Sequence, residues 1–125
     1  MAGKRSTWRG EVEKGPEMGV SGKGADDRPR SIARFRLKEV RQNGMTGYPD
    51  FEARGEQANR CKELLKPGVY CEVTAVEYYR QYWRKRGNTG DFTRRAVEQI
   101  RVLERPTWLD EVEAQQRRLG SPRTI

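Results

Sequence analysis

The chain has 125 residues, a length that fits one domain, and carries 26 Lys and Arg against 18 Asp and Glu, a net charge of +8. With 34% hydrophobic and 35% charged residues, its core must be small and economical. No apolar run approaches the roughly 20 residues of a membrane span, and the absence of histidine removes the commonest general base and metal ligand.

Residues 1–6, Met-Ala-Gly-Lys-Arg-Ser, read as a flexible basic arm with no apolar signal core. Thr7 to Glu13 roughly alternates and reads as a first strand. Residues 14–30 carry Gly15, Gly19, Gly22, Gly24 and two prolines, which predicts a loop. The clearest strand follows: Ala33, Phe35 and Leu37 fall on one face of residues 32–38, and Arg34, Arg36 and Lys38 on the other. Asn43-Gly44 and Thr46-Gly47 mark a connecting loop. Tyr48 to Arg54 reads as a third strand with Phe51 and Ala53 inward.

Glu56 to Lys66 has helical spacing, with Ala58, Cys61, Leu64 and Leu65 on one stripe and Pro67-Gly68 as its stop. Val69 to Tyr79 alternates as a fourth strand. A basic hairpin loop centred on residues 84–90 leads to the fifth strand, Phe92 to Leu103, with a break or bulge near Glu98-Gln99. After Pro106, Thr107 can cap a tail helix through Leu119, with Asp110 as an imperfect capping box and Gly120 as its end. The chain thus divides into an arm over 1–6, a barrel domain over 7–105 and a helix and tail over 106–125. Three strands, a helix and two strands, mainly β and with a short C-terminal helix, is the order of a five-stranded OB-fold barrel with its helix between strands 3 and 4.

The segments Arg9-Gly10-Glu-Val12 with Gly15-Pro16-Glu17, Ile32 to Leu37, Gly55 to Gly68, and Arg94 to Leu103 together resemble the bacterial single-stranded DNA-binding proteins, in order and spacing, over about residues 7–104. The resemblance implies a homo-oligomer, dimer or tetramer, that coats single-stranded DNA in replication, recombination or transfer. It also places a stacking aromatic at each end of the third strand. Tyr48 takes the first of these positions and Arg54 the second, where a guanidinium plane would stack instead. The family's acidic tail has no counterpart here: residues 104–125 carry four arginines and four carboxylates. That departure suggests a specialised plasmid, phage or accessory member.

The basic balance alone fits a nucleic acid, an acidic membrane surface, or charge that merely keeps a protein dispersed. Its placement is more telling. Between Tyr78 and Arg95 lie six cations and one anion, Asp91, interleaved with Tyr78, Tyr79, Tyr82, Trp83 and Phe92. Cations that follow phosphates and rings that stack on bases are what sequence-tolerant single-strand binding requires. Tyr79, Arg80, Tyr82, Trp83, Arg84, Lys85, Arg86, Phe92 and Arg94 are therefore candidate nucleic-acid-binding residues. The outward cations Arg34, Arg36 and Lys38 join them, with Tyr48 and Arg54 from the resemblance. The plain alternatives are that half the rings are core, that the hairpin packs on a neighbouring subunit, and that Arg34, Arg36 and Lys38 are an ordinary solvated face. Trp8 fits core or platform equally, and Trp108 reads as the pin of the tail helix.

No catalytic constellation, cofactor loop or metal-ligand spacing emerges. Asp26-Asp27 and Asp110-Glu111 read as solvated acids, and Cys61 and Cys71 as buried thiols suited to a reducing, cytoplasmic setting. The sequence therefore predicts a binding protein rather than an enzyme. The leading reading is single-stranded DNA binding; the alternatives are an RNA-binding module, which needs the same residues, and an accessory subunit whose basic face docks on a protein.

Overall fold

The computed structural model describes residues 3–23, 29–83, 89–120 and 123–124, with the side chains of 3–20, 29–78 and 93–120. In chain order the elements are β1 (Lys4–Lys23), β2 (Pro29–Val40), β3 (Met45–Gly47), β4 (Asp50–Arg54), α1 (Glu56–Leu64), β5 (Tyr70–Trp83), β6 (Thr89–Val102), α2 (Thr107–Leu119) and β7 (Arg123–Thr124). The hydrogen-bonded order β1-β5-β6-β4-β2, with β2 returning to β1, closes a five-stranded barrel. The seam is a parallel contact of β4 with β6 at Glu52 and Ala96; the other barrel pairs are antiparallel. This is the OB fold that the sequence predicts, with α1 between the third and fourth barrel strands and α2 beyond the fifth.

Alternation builds the core. Val12, Ala33, Phe35, Leu37, Phe51, Ala53, Cys71, Val73, Ala75, Val97 and Ile100 all point inward and are buried. Helix α1 touches β1, β2, β4 and β6, so it closes the barrel with Ala58 and Cys61, and Leu65 follows them inward. Leu64, placed on the same stripe by the sequence, is instead partly exposed, because the helix ends there and Leu65 turns to extended backbone. Helix α2 docks through Leu109 on Val40 and Tyr70, with Trp108 and Val112 beside them, so Trp108 does help to pin the tail helix.

Several expectations are corrected. Residues 14–30 are not simply a loop: β1 runs on to Lys23 and pairs with β2 down to Lys23 opposite Pro29. Register breaks after Val12, Lys14 and Val20 accommodate Gly15 and Gly22 without ending the ladder, Gly19 pairs with Ile32, and Gly24 lies outside the described residues. Gly15 sits at one of these breaks with φ 92°, where a Cβ would lie 2.6 Å from the Arg34 carbonyl oxygen. Gly10 is needed for a similar reason, since its Cβ would meet the Lys38 carbonyl oxygen at 2.6 Å. Lys4, Arg5 and Ser6 belong to β1, opposite Glu77, Val76 and Ala75, so the predicted arm is strand from residue 4.

The third predicted strand, Tyr48 to Arg54, is shortened to Asp50–Arg54. Thr46 and Gly47, expected in a loop, form part of β3 on the end of β2, while Tyr48 and Pro49 interrupt the path to β4. A proline lacks the ladder donor, and here its carbonyl instead accepts from the Leu37 amide at 3.0 Å. Helix α2 starts at Thr107 with Pro106 before it and no side-chain cap; Asp110 accepts a hydrogen bond from Arg105 Nε at 2.9 Å rather than closing a capping box. The predicted irregularity near Glu98 is present: Thr74 pairs with Gln99 and Ala75 with Val97, which leaves Glu98 as the extra residue.

Candidate functional site

The ladder of β2 decides which side chains meet outside the barrel. Arg34 lies opposite Glu52 of β4 and Glu17 of β1, and Arg36 opposite Asp50 and Lys14. Cross-strand partners share a face, so the outward cations of β2 stand among the outward acids of β4. The seam brings β6 alongside, with Arg94 two residues before Ala96.

The resulting ion pairs centre on Glu52. Its Oε1 accepts from Arg54 Nε at 2.8 Å and Arg94 Nη2 at 3.3 Å, and its Oε2 lies 3.6 Å from Arg34 Nε. Partial burial opposes the charge of this carboxyl. The Arg54 hydrogen bond and the charges of Arg94, Arg54 and Arg34 outweigh that and hold it below the usual carboxylate range. Asp50 binds Arg36 with two hydrogen bonds, at 2.9 and 3.4 Å.

A groove of about 430 Å³ runs between these strands. Its cations are Lys14, Arg34, Arg36, Arg94 and Arg95, and its carboxylates are Glu17, Asp50 and Glu52, so the lining is net positive. Phe35 and Phe51 also contribute to its lining, while their rings stack in the core with centroids 5.3 Å apart and planes 17° from parallel. Trp8 meets Phe51 edge-on at 5.3 Å, and the Arg95 guanidinium lies 5.7 Å from the centre of the Trp8 ring. Trp8 is thus half-buried beneath a cation that lines the groove. Both phenylalanines are buried, so neither offers a free face. The Nε of Arg94 is buried with no hydrogen-bond partner, an unmet donor on the groove wall.

Of the residues singled out in the sequence, Arg34, Arg36 and Arg94 come together in the groove, and Arg54 joins them through Glu52. Lys38 does not line the groove. It stands farther along β2, opposite Glu11, where its ammonium lies 3.8 Å from Glu113 of α2. Tyr48 is exposed between β3 and β4 and is not part of the groove lining. Tyr79, Arg80, Tyr82, Trp83 and Phe92 sit on the β5–β6 ladder, which continues to Trp83 opposite Thr89; their side chains, and Arg84, Lys85 and Arg86 entirely, lie outside the described residues.

Sequence reasoning missed Lys14, Arg95 and all three carboxylates. Lys14 was hidden in the supposed loop. The acids were signalled: Asp50 and Glu52 alternate with Phe51 and Ala53, so an inward phenylalanine and alanine already imply an outward acidic pair.

Among the described residues no group of three or more Cys, Asp or Glu is placed to hold a metal ion, and no helix is long and apolar enough to cross a membrane. Burial pushes the Cys61 thiol up to about 12, with the neighbouring Cys71 adding to the shift, and the Cys71 thiol up to about 11. Both acids are weaker folded than unfolded. Their contribution to stability is complete below the ordinary thiol range and is lost as pH rises from there toward 11 and 12. The native protein is expected to resist iodoacetamide at neutral pH and to react at both sites together in urea. Selective alkylation of one thiol in the native state would show that the core is not closed around it.

A scan of protein-family models finds no match, and neither does a search of curated proteins. Solved structures do match. The chain is similar to the mitochondrial single-stranded DNA-binding protein of S. cerevisiae, with a TM-score of 0.64 and 17% identity over 85% of this chain and 100% of that one. It is also similar to the small single-stranded DNA-binding protein of Streptomyces coelicolor, with a TM-score of 0.56 and 17% identity over 82% of this chain and 96% of that one. At such identities the likeness is one of fold.

Proposed function

We propose that this protein binds single-stranded DNA with little sequence preference, holding phosphates in the groove and bases on aromatic faces beside it. The observation that carries the reading is the net-cationic groove on the outer face of β2 and β4. In OB folds this face and the loops that flank it are the usual oligonucleotide-binding surface. The net charge of +8, the aromatic and basic composition of the β5–β6 hairpin, and neighbours that are themselves single-stranded DNA-binding proteins all support it. The proposal extends to a non-enzymatic, cytoplasmic, homo-oligomeric protein, dimer or tetramer, that protects or organises the strand in replication, recombination or transfer.

Titration with oligo-dT over a salt series tests it. Trp8 lies under a groove cation, so binding is expected to quench tryptophan fluorescence. Log affinity is expected to fall linearly with log salt, by about 0.7 per phosphate engaged. No quenching at low salt would defeat the reading. A parallel titration with oligo-U separates DNA from RNA: equal affinity would replace the DNA assignment by a general single-strand one.

A further inference from the structure

We infer that Glu52 is an internal competitor for phosphate: its carboxylate occupies guanidinium donors that the strand's phosphates must share, and so sets the groove's affinity below what its arginines would otherwise give. The inference rests on the single-strand reading above. A carboxylate and a phosphate offer guanidinium the same pair of acceptor oxygens, so each can stand where the other does. Glu52 engages three guanidiniums from three strands: Arg34 of β2, Arg54 of β4 and Arg94 of β6.

Two features separate Glu52 from an ordinary surface acid. The first is depth. Its side chain is 18% exposed, against 67% for Arg34, 50% for Arg54 and 37% for Arg94. The arginines therefore extend past it toward solvent, where a phosphate would reach them, while the carboxylate stays fixed beneath. Asp50, by contrast, is mostly exposed and swings aside at little cost. The second is its company. Three guanidiniums from three strands converge on the one carboxylate, and their contacts hold it below the usual carboxylate range.

A control is built into the molecule. On the β1–β5–β6 face, Glu72 is similarly sheltered at 13% exposed and accepts from Arg9 at 2.8 Å and Arg101 at 3.2 Å. It lines no part of the groove. Glu52→Gln and Glu72→Gln change the net charge equally, so any difference between them reports position.

Oligo-dT affinity is measured for the wild type and both variants over a salt series. E52Q is expected to bind about tenfold tighter at 0.1 M salt, with a salt slope steeper by about 0.7, one further phosphate engaged. E72Q is expected to stay within about twofold of wild type, as befits a screened charge outside the groove. Should E52Q fail to fold, E52D, whose shorter arm draws the carboxylate back from its partners, is expected to bind about two- to threefold tighter by the same reasoning. Equal or weaker binding by the folded Glu52 variant overturns the inference and makes Glu52 a support for the arginines. Equal tightening by E72Q overturns it in favour of bulk charge. If the wild type itself does not bind oligo-dT, the single-strand reading fails first, whatever the variants do.

Discussion

Replacing Arg34, Arg36 and Arg94 together with alanine is expected to lower oligo-dT affinity by roughly 10²–10³ at moderate salt, taking about 1–1.5 kcal/mol for each charge-assisted phosphate contact. The same triple variant should flatten the dependence of log affinity on log salt by about 2, three contacts at about 0.7 each. The three residues come from β2 and β6 and meet only because the barrel closes at the β4–β6 seam. Single replacement of Arg34 or Arg94 should cost less than a third of the total. Arg54 and a remaining neighbour still gather on Glu52 when one arginine is lost, so the effects are coupled. Stability should change little, since partly exposed ion pairs contribute about 0–1 kcal/mol each. The measurement is a fluorescence titration at several salt concentrations with a thermal melt alongside. An unchanged slope with an unchanged melting temperature would remove these arginines from the phosphate path.

Phe51→Ala is expected to destabilise the fold by about 3–5 kcal/mol, the range for removing a large aromatic from a closed core. Phe51 is buried, stacks on Phe35 and receives the edge of Trp8. Alanine there leaves two rings facing a void. Against a typical total of about 5–15 kcal/mol, such a loss brings a domain of this size close to unfolding. Urea denaturation followed by circular dichroism reads the effect directly. Exposed Tyr48 provides the contrast, since its replacement by alanine should move stability by about 0.5 kcal/mol or less. A Phe51→Ala midpoint indistinguishable from wild type would mean that the stacked pair does not hold the barrel.

The barrel was legible because its inward residues alternate without exception where it matters. Ala33, Phe35 and Leu37 on β2, Phe51 and Ala53 on β4, and Cys71, Val73 and Ala75 on β5 each declare a buried face at period two. The long β1–β2 hairpin was not legible. Its glycines and prolines carry the local signature of a loop, and only pairing with β2 shows that bulges keep them in the ladder.

The site was half legible for a related reason. Period two gives the face of a strand but not the height along the barrel. Arg34, Arg36 and Lys38 therefore looked equivalent, yet the first two stand in the groove and the third beside α2. Register is a property of pairs of strands, so the meeting of Glu52 with arginines from β2 and β6 could not be read from any one segment. Arg95 shows the converse. It lies two residues from inward Val97 and so shares its side of β6, and the cation comes to rest over Trp8 while still lining the groove.

The strand β1 pairs with β5 over Lys4 to Glu11 and with β2 from Glu11 to Lys23, so Glu11 is the residue where it changes partners. One continuous limb therefore joins the two ladders, like the arms of a calliper at a fulcrum. Arg105 reaches it, donating to Glu11 at 3.3 Å while also holding Asp110 and Glu113 of α2. The tail helix is thus bolted to the fulcrum by one guanidinium, that of a residue outside both ladders.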